Sequence, residues 1–332
     1  MSRLADIPLS VLDLAPITVD GTPAETFRHT VDLAKRTENL GYNRFWLAEH
    51  HNIDGIASAA TSVLIGHVAG ATSRIRVGSG GIMLPNHPPL VVAEQFGTLA
   101  TLYPDRIDLG LGRAPGSDGI TMQAMRRDPR AGINDFPDRL DELRRYLGDS
   151  TPGQRVRAIP GQGTHVPIWL LGSSGYSAQL AARLGLPFAF AGQFAPGYMV
   201  EALHLYREGF QPGVLDAPHA MIGIPLMAAE SDERARFLAT TQQQKFLNLI
   251  RGKSTRTRPP VEALDWSPQE QAMVSQNLGA SVVGGPATIR QQLDELLEAT
   301  GADEIMVNTD CYDHADRVTS YEILAQVQRD AG

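Results

Sequence analysis

Short apolar runs alternate with longer stretches in which apolar residues recur three or four positions apart, and this alternation covers most of the 332-residue chain. A short run bounded by turn residues reads as a strand, and a recurrence at 3.6 reads as a helix packed by one face. Strands are predicted at 9–14, 44–49, 74–84, 107–113, 167–171, 187–190, 221–229 and 304–308. Helical patterns stand between them, at 24–40, 59–72, 90–102, 137–147, 177–184 and 196–208, with a final one over 316–328. The helix ahead of the last strand has Pro286 early and Ile289, Leu293, Leu296 and Leu297 on one face. Gly41, Gly185, Gly209 and Gly301 follow helical patterns where C-cap residues belong.

Strands of near-continuous apolar character are buried on both faces, as parallel strands are. Strand–helix alternation closes either as a barrel or as a doubly wound open sheet. An even count of eight favours an α/β fold with a single (β/α)8 TIM barrel over residues 1–332, with long loops at its C-terminal face. Two stretches break the rhythm. Residues 114–136 are rich in Gly, Asp and Arg, and residues 251–268 carry prolines and charges between two helical patterns. Loops of this length serve as lids or binding loops, or are disordered.

Composition narrows the picture. Apolar residues make up 42% and charged residues 20%, enough for a large core. The net charge of -8 speaks against nucleic-acid binding, which needs clustered Lys and Arg. Cys311 is the single cysteine, so no disulfide forms within the chain, as in a reducing compartment. The first residues lack the charged-then-apolar order of a secretion signal, and no run of 18 apolar residues occurs. The expectation is a cytoplasmic protein that does not span a membrane.

In an α/β barrel, chemistry gathers where the strands end. The fifth strand ends in Gly172-Ser173-Ser174-Gly175 and opens a helix with Ser177 in its first turn. Backbone N–H groups there suit an anion such as phosphate, although serine is also an ordinary N-cap. Arg113 ends the fourth strand and must bind an anion or pair with a neighbouring carboxylate. Gly78-Ser79-Gly80-Gly81 marks a bulge, a close backbone approach to a flat ligand, or tight core packing. Glu49-His50-His51 ends the second strand. Neighbouring strand residues face opposite ways, so one histidine is a candidate acid, base or hydrogen-bond donor, or a structural histidine. A third metal ligand is not evident, and no metal site is predicted. Phosphate-loop and nucleophile-elbow spacings are absent. Cys311, past the eighth strand, has no assigned role.

WLAEHH at 46–51, GIASAATS at 55–62, VGSGGIMLPN at 77–86, RIDLGLGRAPG at 106–116, LGSSGYS at 171–177 and AARLGLP at 181–187 resemble the bacterial luciferase-like flavin monooxygenase family, in order and nearly end to end. The resemblance implies a (β/α)8 barrel, commonly a homodimer, that uses reduced FMN and O2 on a small organic substrate. A separate NAD(P)H–flavin reductase would supply the reduced flavin. By the same likeness, His50 is the catalytic histidine beside the flavin. Gly80-Gly81 is the position of a non-proline cis peptide under the flavin ring. Arg113, Ser174 and Ser177 contact the flavin phosphate, with Gly172, Ser173 and Gly175 around them, and Arg139 matches a second phosphate-binding arginine. The reactive cysteine of luciferase falls on Gly112, so aldehyde chemistry is not implied. Residues 251–268 correspond to the family's mobile active-site region. Two alternatives stay open. One is F420-dependent hydride transfer, with Arg126, Arg127 and Arg130 toward the acidic tail of that cofactor. The other is a flavin-binding protein without catalysis.

Overall fold

The computed structural model describes residues 3–114, 118–126 and 135–332. Nine strands occur among them: β1 (Leu9–Asp13), β2 (Arg44–Leu47), β3 (Arg76–Met83), β4 (Ile107–Gly112), β5 (Ile168–Gly172), β6 (Phe188–Ala191), β7 (Ala220–Ala228), β8 (Val282–Gly284) and β9 (Glu304–Asn308). The helices are α1 (Pro23–Leu40), α2 (Thr61–Ala71), α3 (Pro89–Leu102), α4 (Gly119–Ala124), α5 (Phe136–Leu147), α6 (Gly175–Leu184), α7 (Met199–Glu208), α8 (Asp232–Ile250), α9 (Pro268–Asn277), α10 (Pro286–Thr300) and α11 (His314–Arg329).

Strands β1 to β6 pair in chain order, β6 pairs with β7, β7 with β9, and β9 with β1, all parallel. This is the closed eight-stranded (β/α)8 barrel that the apolar pattern predicts. The ninth strand, β8, is a finding the pattern does not contain. It pairs only with the far end of β7, Leu226 opposite Val282 through Ala228 opposite Gly284. Three residues are too few to register as a run.

Local signals fix several joints. Thr22 and Glu25 form a reciprocal capping box that starts α1, and Gly41 closes it with φ 91°. Gly209, expected as a stop, ends α7 with φ −86°, an ordinary rather than left-handed turn. The loop expected over 114–136 holds the short helix α4, whose N-cap is Asp118, and residues 115–117 and 127–134 lie outside the described residues.

The barrel interior is layered. Its N-terminal end is plugged by charge. Arg44 bridges Asp108 (2.6 Å) and Glu304 (3.0 Å), and its guanidinium lies 4.8 Å over the Trp169 ring. Trp46 Nε1 donates to the same Asp108 at 3.2 Å. Above this layer Trp46 and Trp169 meet edge to face at 5.4 Å, with Leu12, Ala189, Met221 and Met306 around them. Above these, the interior opens at the C-terminal rim.

Candidate active site

The rim residues come from exits on the same side of the barrel, because every strand runs in the same sense. A cavity of about 180 Å3 lies there. Leu14, just past β1, Ile53 and Ile56 on the loop after β2, and Phe194 after β6 supply apolar walls. Gln242, Lys245, Phe246 and Leu249 project from α8, spaced as one helical face, and Thr255 enters from the segment that follows. Asn308 and Asp310 complete it at the end of β9.

Three buried polar atoms among this lining have no hydrogen-bond partner: His50 Nδ1, Gln193 Oε1 and Asn308 Oδ1. Buried polar atoms are nearly always satisfied, so these three are the ones that water or a bound molecule in the cavity would complete. Burial pushes the His50 pKa down to about 4, and the nearby Lys245 charge adds to this against the opposing pull of Glu49. His50 is therefore a neutral imidazole at physiological pH. Lys245 itself pairs with Asp310 at 3.1 Å, so this part of the wall carries no net charge.

Across the rim, β4 ends at Arg113 and β5 leads into α6. Arg113 makes no salt bridge among the described residues, and its guanidinium lies 4.1 Å from the centre of the Tyr176 ring. Ser174 occupies the N-cap of α6 with extended backbone, but its hydroxyl makes no capping bond. The ordinary N-cap bond is thus not made, and the first N–H groups of α6 take no acceptor from the Ser174 hydroxyl. Ser173 and Ser174 are exposed, whereas Ser177 is buried beside Gly172. A Cβ on Gly172 would stand 2.7 Å from Ser177 Oγ, so glycine is what lets strand end and first helical turn meet.

Between the two regions, β3 and β4 shift register between Ser79 and Ile82, and the Gly80–Gly81 peptide bond is cis. A Cβ on Gly81 would lie 2.7 Å from the Gly110 carbonyl oxygen, and one on Gly80 would lie 2.6 Å from Leu12 Cδ1. Bulge and close packing both account for these glycines.

Other expectations fall elsewhere. Arg139 is bound to Asp135 at 2.8 Å and lines a cleft between α5 and residues 85–89, together with Arg126. Arg127 and Arg130 lie outside the described residues. Cys311 is buried with its thiol pKa raised by burial and its sulfur 3.3 Å from Met227 Sδ, an inert packing position. Residues 251–267 lack helix or strand but are tied down. Thr257 bonds in both directions with the chain at Ile17 and Val19, and the Asp54 carboxylate binds Ser254 and the Thr255 N–H.

The sequence reading finds no third ligand beside Glu49 and His51. The structure brings His87 there, from the turn after β3. Both Nε2 atoms, of His51 and of His87, lie 2.8 Å from Glu49 Oε1, while Met83 N–H donates to Oε2 at 3.0 Å. Burial works against the Glu49 charge, but the bonds from His87, His51 and Met83 hold its carboxyl below the usual range.

A (β/α)8 barrel with an apolar, polar-tipped cavity at its C-terminal rim defines a class of enzyme-like scaffold. Comparison narrows it: residues 7–304 match the family described as luciferase-like monooxygenase, and the chain belongs to that family. It is 58% identical over 326 residues to the Bacillus subtilis protein YvbT, covering 97% of each chain. It is 53% identical to a luciferase-like monooxygenase of Escherichia coli K12, covering 98% of each. It is also 32% identical to the N-acetyl-S-alkylcysteine monooxygenase of Bacillus subtilis, covering 96% of this chain and 97% of that one. The solved structure of apo-MsnO8 superposes with a TM-score of 0.87 at 37% identity, covering 97% of this chain and 98% of that one. Two structures share the fold alone. One is the oxygenating constituent of 3,6-diketocamphane monooxygenase in complex with FMN, at TM-score 0.75 and 16% identity. The other is an F420-dependent secondary alcohol dehydrogenase, at 0.70 and 15%.

Proposed function

We propose that the chain is an FMN-dependent monooxygenase that takes reduced FMN and O2 and oxygenates a small, largely apolar organic substrate. One observation carries this reading: an arginine without a carboxylate partner among the described residues, beside a helix N-terminus that Ser174 does not cap, shares a rim with a cavity lined by three unsatisfied polar atoms.

Arg113, the first N–H groups of α6 and the hydroxyls of Ser173, Ser174 and Ser177 would hold the flavin phosphate, with Gly172 and Gly175 keeping the backbone close. The Gly80-Gly81 backbone would lie against the ring. Reduced FMN, when bound, supplies the electrons that activate O2. His50, neutral at physiological pH, offers a lone pair or a ring N–H beside the reacting atoms. Gln193 and Asn308 orient the polar end of a substrate. Segment 251–267 and Phe194 exclude water.

The charge of the cleft beside α5 favours FMN over F420. Among the described residues, Arg126, Arg139 and Arg145 there face Asp135, Asp138 and Glu142, so this lining offers no net positive charge to a polyacidic tail. A purely flavin-binding role gives the buried, unsatisfied His50 nothing to do. A separate NAD(P)H–flavin reductase in the cytoplasm would supply the reduced flavin. The exposed Val63 of α2 and Val91 and Leu102 of α3 fit a homodimer that covers these helices.

Anaerobic titration with reduced FMN, oxidised FMN and reduced F420 tests the reading. Reduced FMN should bind at least tenfold more tightly than either of the others. Preference for F420 would replace the proposal with hydride transfer, and binding of none of the three would end it.

A further inference from the structure

Among the described residues, five carboxylates are buried: Asp13, Glu49, Asp108, Glu304 and Asp310. Four have a permanent cation beside them. Asp13 pairs with Arg317, Asp108 with Arg44 and Arg76, Glu304 with Arg44, and Asp310 with Lys245. Glu49, whose side chain is 1% exposed, has His51 and His87 in that place, with Met83 N–H and Asn86 Nδ2 as neutral donors. A buried anion without a counter-ion is costly, and imidazoles supply charge only when protonated.

We propose that Glu49, His51 and His87 bind a divalent transition-metal ion, such as zinc. The three ligand atoms lie within 4.8 Å of one another. Both histidines converge through the same ring atom, Nε2, on one carboxylate oxygen. The other carboxylate oxygen is anchored by the Met83 N–H, which fixes the ligand as outer partners do in metal sites. Two imidazoles and a carboxylate are the donor set of borderline ions, and three protein ligands leave positions for water. His51 and His87 are 22% and 31% exposed, which gives an ion a way in. The ion would neutralise Glu49 and tie the exit of β2 to the turn after β3. Because ligands 49 and 51 flank His50 in sequence, it would also fix the backbone that carries His50.

The test uses tag-free full-length protein stripped with a chelator and titrated with Co2+, with Zn2+ in competition. One equivalent should bind, visible cobalt absorption should appear, and the melting temperature should rise. His51→Ala and His87→Ala should each weaken Co2+ binding at least ~10–100-fold, the loss typical even of outer partners. His314→Ala, which removes the histidine bound to Asp32, should bind as the parent does. His87→Asp should bind more tightly than His87→Ala, and circular dichroism confirms that the variants fold. Failure of the parent to take up Co2+ or Zn2+, or unchanged binding in His87→Ala, overturns the proposal and leaves a hydrogen-bonded cluster.

Discussion

Replacing Arg113 by alanine should separate FMN from riboflavin. The guanidinium has no carboxylate partner among the described residues, and it lies over the Tyr176 ring. A hydrogen bond between charged partners contributes about 1.5–3 kcal/mol, which at ~1.4 kcal/mol per decade is roughly 10- to 150-fold in Kd. Riboflavin lacks the phosphate and should lose much less. The stacking of Arg113 on Tyr176 at 4.1 Å is already present without ligand, so its loss, about 0.5–1 kcal/mol, should appear in stability rather than in Kd. Arg113→Lys keeps the charge but not the guanidinium, so it should fall between the parent and the alanine variant. Fluorescence titration of both flavins, reduced and anaerobic, against all three proteins measures the terms. An equal loss for FMN and riboflavin would refute a phosphate role and make Arg113 a support for the rim. His50→Ala should leave FMN affinity within about tenfold, since a neutral imidazole contributes at most one ordinary hydrogen bond of about 0.5–1.5 kcal/mol; a loss matching that of Arg113→Ala would undo the division of roles.

Three other outcomes follow from the geometry. His50 has a folded pKa of about 4 against 6.5 for the free group, so between these values the unfolded chain takes up a proton that the folded chain refuses. Stability should therefore fall as pH drops through this window, by about 2–3 kcal/mol, and His50→Asn should flatten that slope in urea titrations at pH 7 and 4.5; an unchanged slope rejects the assignment. Gly81→Ala should destabilise more than Gly80→Ala, within about 1–3 kcal/mol, because one new Cβ meets the Gly110 backbone and the other the end of the Leu12 side chain. Urea midpoints in the reverse order would contradict this. Asp54→Ala releases Ser254 and Thr255 and should speed tryptic cleavage at Arg251, Lys253 or Arg256 without changing FMN affinity; an unaltered digestion rate would show that the segment is held by other means.

The eight barrel strands were legible because each is a run of apolar residues long enough to stand out, buried on both faces. The strand ends were legible for a related reason. Glycine, serine and arginine are out of character at the end of such a run, and Arg113 and Gly172 to Ser177 announced themselves. The α8 wall of the cavity carried a weaker signal: Gln242, Lys245, Phe246 and Leu249 share a helical face, but nothing in the chain says that this face meets the rim rather than solvent. His87 and the Arg44 plug were hidden for another reason. Glu49 and His87, or Arg44, Asp108 and Glu304, become neighbours only when the barrel closes, and distance along the chain carries no trace of that. The three residues of β8 are simply shorter than any periodicity can detect.

The short pairing of β8 with β7 has a consequence for how such a protein changes. Ala229 N–H bonds to the Gly284 carbonyl at 3.2 Å, and Asp232 accepts from Gly285 N–H at 2.7 Å, so the chain between leaves and rejoins the barrel at one small clasp, with side ties from Lys245 to Asp310, from Ser254 and Thr255 to Asp54 and from Thr257 to Ile17 and Val19. That excursion holds Gln242, Lys245, Phe246, Leu249 and Thr255 of the cavity wall, while Arg113, Gly80, Gly81 and the α6 start all belong to the barrel. The molecule is in effect a fixed socket with an interchangeable cassette: exchanging the stretch inside the clasp between relatives would redraw the cavity and leave the opposite side of the rim as it was.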